Sequence, residues 1–505
     1  MGTMRTLRTN RTNTTVNSVY FGLIEMRRPK SMLKARGMES FKYCTAVTIL
    51  FFLWGFSYGL LNTLNSQIST VANETVAQRL GLSAAYFVGY LIGPLTLGQW
   101  VLRHEGFKAT FIFGLCIYGI GTLMFWPSAV LKSWPGFLIC QFVVGYGLAI
   151  LETAANPFIA LCGPPQYAEY RLLLSQGVQA VASVLSQLLA QKVLFDGIHS
   201  DSLLDVQWTY LAVALVCVIL ALFFYYMPLP GATDDDLQKL AENLSIYPSQ
   251  SILSGRLPLI YTTAILAITC QFLYVAAQES NAVWFESLLE SRSLLSEYTI
   301  SRADYTLVAQ TLFALSRFIY AGLCLIIPPR ILLLSCFLLG TLFAILEHSL
   351  RISANSIAAP GLLFFFFEGP IFPLVFAIGL RGMGRWTKWT ASLLVSSVSG
   401  GAVFPYVMWA IKRSHSVQYS YAVVISLMVA GTLFPIYLTA VPGARHQVDP
   451  AIASTLGNMA VDEGETPTTR IRRASKRLGN MFGSRRSSGP TVQHSEDMAE
   501  ESEST

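Results

Sequence analysis

The sequence predicts an all-α membrane protein of about twelve transmembrane helices arranged as two pseudo-symmetric six-helix bundles. Three observations predict it. Of the 505 residues 53% are hydrophobic and only 13% are charged, too few charges to clothe a soluble globule of this size. The apolar residues gather into blocks of about 20, the length that crosses a hydrocarbon core of about 30 Å. A polar stretch over 228–256 divides those blocks into two sets of six, and the sets echo each other.

Apolar blocks bounded by turn and charge punctuation fall near 44–68, 83–102, 109–130, 135–162, 172–195 and 207–227, then near 257–286, 303–327, 330–350, 356–380, 388–411 and 418–441. The chain therefore divides into an N-terminal tail (1–43), a first bundle (44–227), a linker (228–256), a second bundle (257–441) and a C-terminal tail (442–505). An even number of spans puts both tails on one side. Arg27, Arg28, Lys30, Lys34, Arg36 and Lys42 before the first span, with Arg381, Arg385 and Lys388 in the tenth connection, make that side the cytoplasm. Arg292, Arg302, Lys412 and Arg413 fall on the other side, so the orientation rests on the tails and on the glycosylation sequon Asn73-Glu74-Thr75 in the first outer loop. The expected setting is the plasma membrane, with the chain a monomer in the lipid bilayer.

In the linker, Thr233-Asp234-Asp235-Asp236 followed by Leu237, Leu240 and Leu244 predicts a capped amphipathic helix on the cytoplasmic face. From about 445 onward periodicity is lost and Ser, Arg and finally Glu dominate, which predicts a disordered, solvated tail. Its Arg-Arg-Ala-Ser475 and Arg-Arg-Ser487-Ser488 runs also have the form of kinase sites. Arg470, Arg472, Arg473, Lys476 and Arg477 there could meet anionic lipid. The net charge of +6 sits largely on the tails and predicts no nucleic-acid partner. All eight cysteines lie in or beside apolar blocks without C-x-x-C spacing, as small core residues do, so no disulfide frame, metal site or cofactor is expected. The early apolar run Tyr20 to Ile24 is too short for a secretory signal, which leaves insertion to the first span.

Polar groups inside the spans carry the functional argument. An intramembrane charge costs at least about 2.5–3.5 kcal/mol, so one that persists needs a partner, a wet cavity or a proton. Glu152 sits mid-span in Leu151-Glu152-Thr153-Ala154-Ala155-Asn156-Pro157-Phe158, with Asn156 one turn away and Pro157 loosening the backbone. A carboxyl there can take a proton from one side and release it to the other as its surroundings alternate between dry and wet. The alternative is a structural carboxyl paired to a neighbouring helix. Glu368 with Pro373 repeats the spacing of Glu152 with Pro157 at the same place in the second half.

Trp54, Tyr58, Asn62 and Asn65 share one face of the first span, and Gln271, Tyr274, Gln278 and Asn281 share one face of the seventh. Rings pack on the C–H faces of a sugar and amides pair with its hydroxyls, so Trp54, Tyr58, Asn62, Asn65, Asn156, Gln176, Gln179, Tyr274, Gln278 and Asn281 are candidate substrate-binding residues. Each amide has an alternative use as a helix-to-helix bond. Glu279, Arg317 and Glu368 are candidates for the site or for a gating ion pair.

At Phe51-Phe52-Leu53-Trp54-Gly55-Phe56, Leu151 to Phe158, Arg171-Leu172 with Gln176, and Ser316-Arg317-Phe318, the chain resembles the fucose–proton symporter family of the major facilitator superfamily, over roughly 44–441. The resemblance, which extends to fungal members, implies the major facilitator fold and carriage of L-fucose, galactose or glucose with protons through a central cavity. It also implies that Glu152 is the proton-coupling glutamate. The sequence departs from the family where Asn62 replaces its usual membrane aspartate, and where Leu173 and Gln179 replace asparagines. Asparagine cannot titrate, so the expectation is a monosaccharide transporter working by alternating access, proton-coupled through Glu152, with a passive facilitator or a transporter-like sugar sensor as alternatives. No H-E-x-x-H, G-x-S-x-G, paired Cys/His ligands or Gly-rich phosphate loop points to an enzyme.

Overall fold

The structure is a computed structural model, and it describes residues 19–21, 24–26, 31–35, 37–71, 75–190, 206–243, 251–252, 257–291, 302–350 and 354–449. Within the described residues eleven helices are long and apolar enough to cross a membrane, and Tyr210–Tyr226 adds a shorter apolar one. The first half comprises α1 (Met38–Val71), α2 (Val76–His104), α3 (Gly106–Val130), α4 (Trp134–Leu161), α5 (Ala168–Leu189) and α6 (Val206–Tyr226). The second comprises α7 (Leu259–Glu290), α8 (Arg302–Leu323), α9 (Pro329–Ser349), α10 (Ala354–Glu368 continued by Ile371–Leu380), α11 (Gly384–Ser414) and α12 (Val417–Ala440).

The halves repeat one packing scheme. In the first, α1 lies on α5, α2 on α4, and α3 on α4 and α6; in the second, α7 lies on α11, α8 on α10, and α9 on α10 and α12. The halves meet where α2 and α4 lie against α11 and where α5 lies against α8 and α10. The helices approach closely where side chains are small. A Cβ placed on Gly145 of α4 would overlap the Tyr86 carbonyl of α2, and one on Gly55 of α1 would overlap the Gln179 carbonyl of α5. In lipid, where apolar burial gives no net drive between helices, such close backbone packing holds them together. The outer surface is apolar, with Ile120 and Leu123 of α3, Leu215, Val218 and Leu222 of α6, and Ile265 of α7 exposed. A polar solvent would not tolerate so broad an apolar face, but a bilayer would.

Breaks in the spans follow the sequence. Pro94 opens a wide turn over Pro94–Gly98 in α2, and Gly369-Pro370 interrupts α10 immediately after Glu368. Ser397–Ala402 of α11 tightens to a 3-10 turn where Gly400 lets it lie against α7.

The region around the start of the first span and the end of the last is more ordered than the sequence predicts. The first helix begins at Met38, inside the stretch assigned to the tail 1–43, and before it the turn Met32–Lys34 buries Met32, whose N–H donates to the Gly231 carbonyl at 3.1 Å. Within the linker the helix Asp234–Asn243 forms as its acidic start predicts: Thr233 Oγ1 accepts from Asp236 N–H at 3.1 Å, and Leu237 and Ala241 are buried. The C-terminal tail 442–505 needs correction, because Pro442–Val448 is a helix with Ala444, Gln447 and Val448 buried. Its order comes from polar partners, which hydrophobic periodicity cannot register. Thr263 donates to Gln447 Oε1 at 3.0 Å, Gln447 Nε2 donates to the Arg381 carbonyl at 2.7 Å, and Asp449 pairs with Arg330. The sequon at Asn73, the basic residues Arg27, Arg28, Lys30, Arg36 and Arg292, Leu244, and the tail motifs at Arg470 to Lys476, Arg477, Ser475, Ser487 and Ser488 lie outside the described residues.

In the same region Arg381, after α10, pairs with Glu169, at the start of α5, at 2.5 Å and also donates to the Pro165 carbonyl at 3.2 Å. The pair ties one half to the other where both side chains are largely buried. Removing one partner strands the other charge, at a cost of about 3–5 kcal/mol for a buried pair. Arg381→Ala is therefore expected to lower the melting temperature and to raise labelling of cysteines introduced along this end of α5, and Glu169→Gln added to it should recover part of the lost stability. Equal melting of the single and double variants would refute the pairing.

Candidate functional site

Between the halves lies a cavity of about 110 Å³. From the first half it is lined by Trp54 and Tyr58 of α1, Tyr86 and Tyr90 of α2, Glu152 of α4, and Gln176, Gln179 and Ser183 of α5. From the second it is lined by Gln278 and Glu279 of α7, Gln310 and Arg317 of α8, and Glu368 and Phe372 of α10.

Glu152 is 1% exposed, deep in the wall. Its Oε1 accepts from Tyr90 Oη–H at 2.7 Å and its Oε2 from Asn156 Nδ2 at 3.3 Å. Tyr86 in turn donates to Tyr90 at 3.3 Å, and Gln176 Nε2 donates to Asn156 Oδ1 at 3.2 Å. A phenol can donate to a carboxylate or accept from a carboxylic acid by rotating its hydrogen, so Tyr90 serves both protonation states of Glu152 without moving a heavy atom. The i, i+4 spacing of Glu152 and Asn156 puts both on one helix face, and it is that spacing which links the acid to α5.

Arg317 is 5% exposed and is held by neutral acceptors: the Gly369 carbonyl at 3.0 Å, the Gln176 carbonyl at 2.7 Å and Gln179 Oε1 at 3.5 Å. Its guanidinium lies 4.4 Å from the Phe313 ring centroid. For Glu279, Arg317 and Glu368, open between membership of the site and a gating ion pair, all three line the cavity and the ion pair is not formed in this structure. Among the described residues Arg317 reaches no carboxylate, because the break at Gly369 frees a carbonyl that takes its place. Glu279 instead accepts from Tyr58 Oη–H at 3.0 Å, a bond from α1 to α7 across the two halves.

Nine of the predicted residues line the cavity: Trp54, Tyr58, Glu152, Gln176, Gln179, Gln278, Glu279, Arg317 and Glu368. Asn156 stands one hydrogen bond behind it. Tyr274 and Asn281 are corrected, since neither reaches the cavity. Tyr274 is fully buried and donates to the Glu368 carbonyl at 2.8 Å, and Asn281 Oδ1 accepts from Tyr421 of α12 at 3.3 Å. The side chains of Asn62 and Asn65 lie outside the described residues.

The sequence reading missed Tyr86, Tyr90, Ser183 and Gln310. Tyr86 and Tyr90 are four residues apart in an apolar span, one helix face bearing two hydroxyls, and that signal was available. The lining mixes aromatic faces with amides and hydroxyls, which suits a solute rich in C–H and O–H groups, and it adds the acids Glu152, Glu279 and Glu368 and the cation Arg317, so a proton can be held beside that solute.

No family model matches the chain. Over 389 residues it is 26% identical to an L-fucose-proton symporter of Escherichia coli (strain K12), covering 71% of this chain and 84% of that protein. Over 373 residues it is 27% identical to a glucose/galactose transporter of Brucella abortus biovar 1 (strain 9-941), covering 73% of this chain and 87% of that protein. Among solved structures it matches the major facilitator superfamily transporter FucP in the outward conformation with a TM-score of 0.65 at 23% identity, over 78% of this chain and 98% of that one. It matches the proton:xylose symporter XylE bound to 6-bromo-6-deoxy-D-glucose with a TM-score of 0.62 at 13% identity, over 79% and 96%. The chain is a multi-pass membrane protein of the major facilitator fold, similar over most of its length to L-fucose–proton symporters and glucose/galactose transporters.

Proposed function

We propose that the chain carries a monosaccharide such as L-fucose, galactose or glucose across the plasma membrane by alternating access, coupled to protons through Glu152. The observation that carries this reading is the buried acid Glu152, hydrogen-bonded to Tyr90 and Asn156, in the wall of a ring-and-amide cavity between two repeated bundles. Such a cavity opens to one side when the bundles rock one way and to the other when they rock back. The relatives named as fucose and glucose/galactose carriers support the choice of solute.

In this reading the bundles are 44–227 and 257–441, the linker 228–256 and both tails are cytoplasmic, and the chain acts as a monomer in the bilayer. The Arg381–Glu169 tie then holds the cytoplasmic side together. Trp54 and Tyr58 meet the C–H faces of the sugar, while Gln176, Gln179 and Gln278 meet its hydroxyls.

Uptake of labelled L-fucose, galactose and glucose into proteoliposomes, each competed by the others, tests the reading. Saturable exchange of at least one sugar is expected. Absence of exchange for all three would refute carriage and leave a sensing role. Asn62, which cannot titrate, supports passive facilitation as the second reading. Sugar exchange that never exceeds equilibrium under a pH gradient would establish it.

A further inference from the structure

Among the described residues of the second half, two buried acids have no hydrogen-bond partner. Glu368 lines the cavity and is 1% exposed, and neither carboxyl oxygen has a partner among the described residues. Glu347, near the end of α9, is fully buried, and both of its oxygens are likewise without partners there. The backbone of α10 closes over it, since a Cβ on Gly361 would stand 3.0 Å from Glu347 Oε1. Asn281 of α7 is fully buried too; among the described residues its Nδ2 has no partner, and its Oδ1 accepts from Tyr421.

A bare carboxylate in so dry a place is costly, whereas a neutral carboxylic acid is not. The charged groups whose fields reach Glu368 are Glu279 of α7, Glu347 of α9 and Arg317 of α8. The fields of Glu347 and Glu368 both extend to Tyr421 of α12, and that of Glu368 extends to Tyr274 of α7. Next to Glu347 in the chain, His348 turns away, its Nδ1 meeting the Gln418 carbonyl at 2.9 Å. The field of the Arg317 guanidinium reaches Glu152 and Glu368, while two further acids, Glu279 in the cavity wall and the buried Glu347, add negative charge around Glu368. Arg317 can balance one carboxylate, so electroneutrality asks the others to hold protons.

We propose that Glu368 and Glu347 form a second proton-binding site, in the C-terminal bundle, that takes part in transport alongside Glu152. Glu368 exchanges its proton with the cavity. On release its O–H bond breaks, the electron pair stays on the carboxylate, the proton passes to water admitted as the cavity opens, and Arg317 offsets the new charge. Glu347 keeps a second proton behind it and sets how readily the first leaves. The transport role rests on the function proposed above, but the protonation of the two acids does not.

Infrared difference spectroscopy of the full-length protein in lipid nanodiscs reads buried carboxylic acids directly. Glu347→Gln and Glu368→Gln are each expected to remove one carboxylic-acid C=O band that the wild type shows at neutral pH. Retention of both bands in both variants would overturn the proposal. Glutamine copies the neutral acid that Glu347 remains, so Glu347→Gln should shift only the pH dependence of accumulation, whereas Glu368→Gln, with no proton to release, should lose proton-driven accumulation. Loss of the Glu368 band with accumulation intact, or of the Glu347 band with its pH dependence unshifted, would make that proton structural and overturn the transport role. If the wild type exchanges no sugar, the carrier function falls, and the bands alone decide the site. Should Glu347→Gln fail to fold, Glu347→Asp, which keeps an acid, is expected to keep a shifted band, and the Glu368→Gln spectrum still decides.

Discussion

Glu152→Gln is expected to abolish proton-driven accumulation of sugar in a protein that still folds. The fold survives because glutamine has the same shape and can re-form the local bonds: its carbonyl accepts where Glu152 Oε2 now accepts from Asn156, and its amide donates to the Tyr90 hydroxyl once that hydroxyl turns. The proton does not survive, because an amide cannot take one up in this range. With one proton carried per sugar, each pH unit of gradient is worth about 1.4 kcal/mol, or roughly a tenfold concentration ratio. Proteoliposomes with an alkaline interior should therefore concentrate sugar with the wild type and only equilibrate it with the variant. Equal accumulation by both would remove Glu152 from the coupling, and equilibration by both would make the protein a facilitator.

The second large effect concerns the close crossing that holds this acid in place. Gly145 lies two turns before Glu152 on α4, and a Cβ there would overlap the carbonyl oxygen of Tyr86 and stand 3.0 Å from its Cα. The obstructing atoms are backbone, so no rotamer change relieves the clash and α2 must move away from α4. From the opposite side, a Cβ on Gly89 of α2 would stand 2.5 Å from Tyr146 N, so the two glycines form one contact. Gly145→Val is expected to cost at least about 3 kcal/mol, the upper end for overpacking a tight site, and to part Tyr90 from Glu152 as well. Gly119→Ala is the control, because its added Cβ would meet Cys217 Cβ at an ordinary 3.4 Å. Melting of purified protein followed by size-exclusion chromatography should show a large loss for Gly145→Val, a smaller one for Gly145→Ala and almost none for Gly119→Ala. Equal melting of the two alanine variants would disprove the close approach.

Both effects meet at α2, which the sequence reading left without a functional residue. Aromatic residues are frequent in membrane spans, and Tyr90 differs from its neighbours only in the partner it finds. Once α2 is drawn against α4 by Gly89 and Gly145, its hydroxyl has one strong acceptor within reach, and that acceptor is Glu152.

What the sequence by itself determined was everything governed by the cost of placing a group in lipid. Blocks of apolar residues had to become spanning helices, and Glu152, Arg317 and Glu368 had to face an interior and not the acyl chains. The repeated Glu-and-Pro spacing of the fourth and tenth spans likewise announced two matching halves. Tertiary structure alone decided which interior each polar group faces. Gln278 and Asn281 are three residues apart and nominally on one face, yet Gln278 lines the cavity while Asn281 bonds to Tyr421 behind it. Helical periodicity fixes a side chain's direction about its own axis, but the rotation of that axis among its neighbours is set by backbone contacts such as Gly55 on Gln179 and by the break that hands the Gly369 carbonyl to Arg317. Those contacts join residues far apart in the chain, and a reading of local pattern has no access to them.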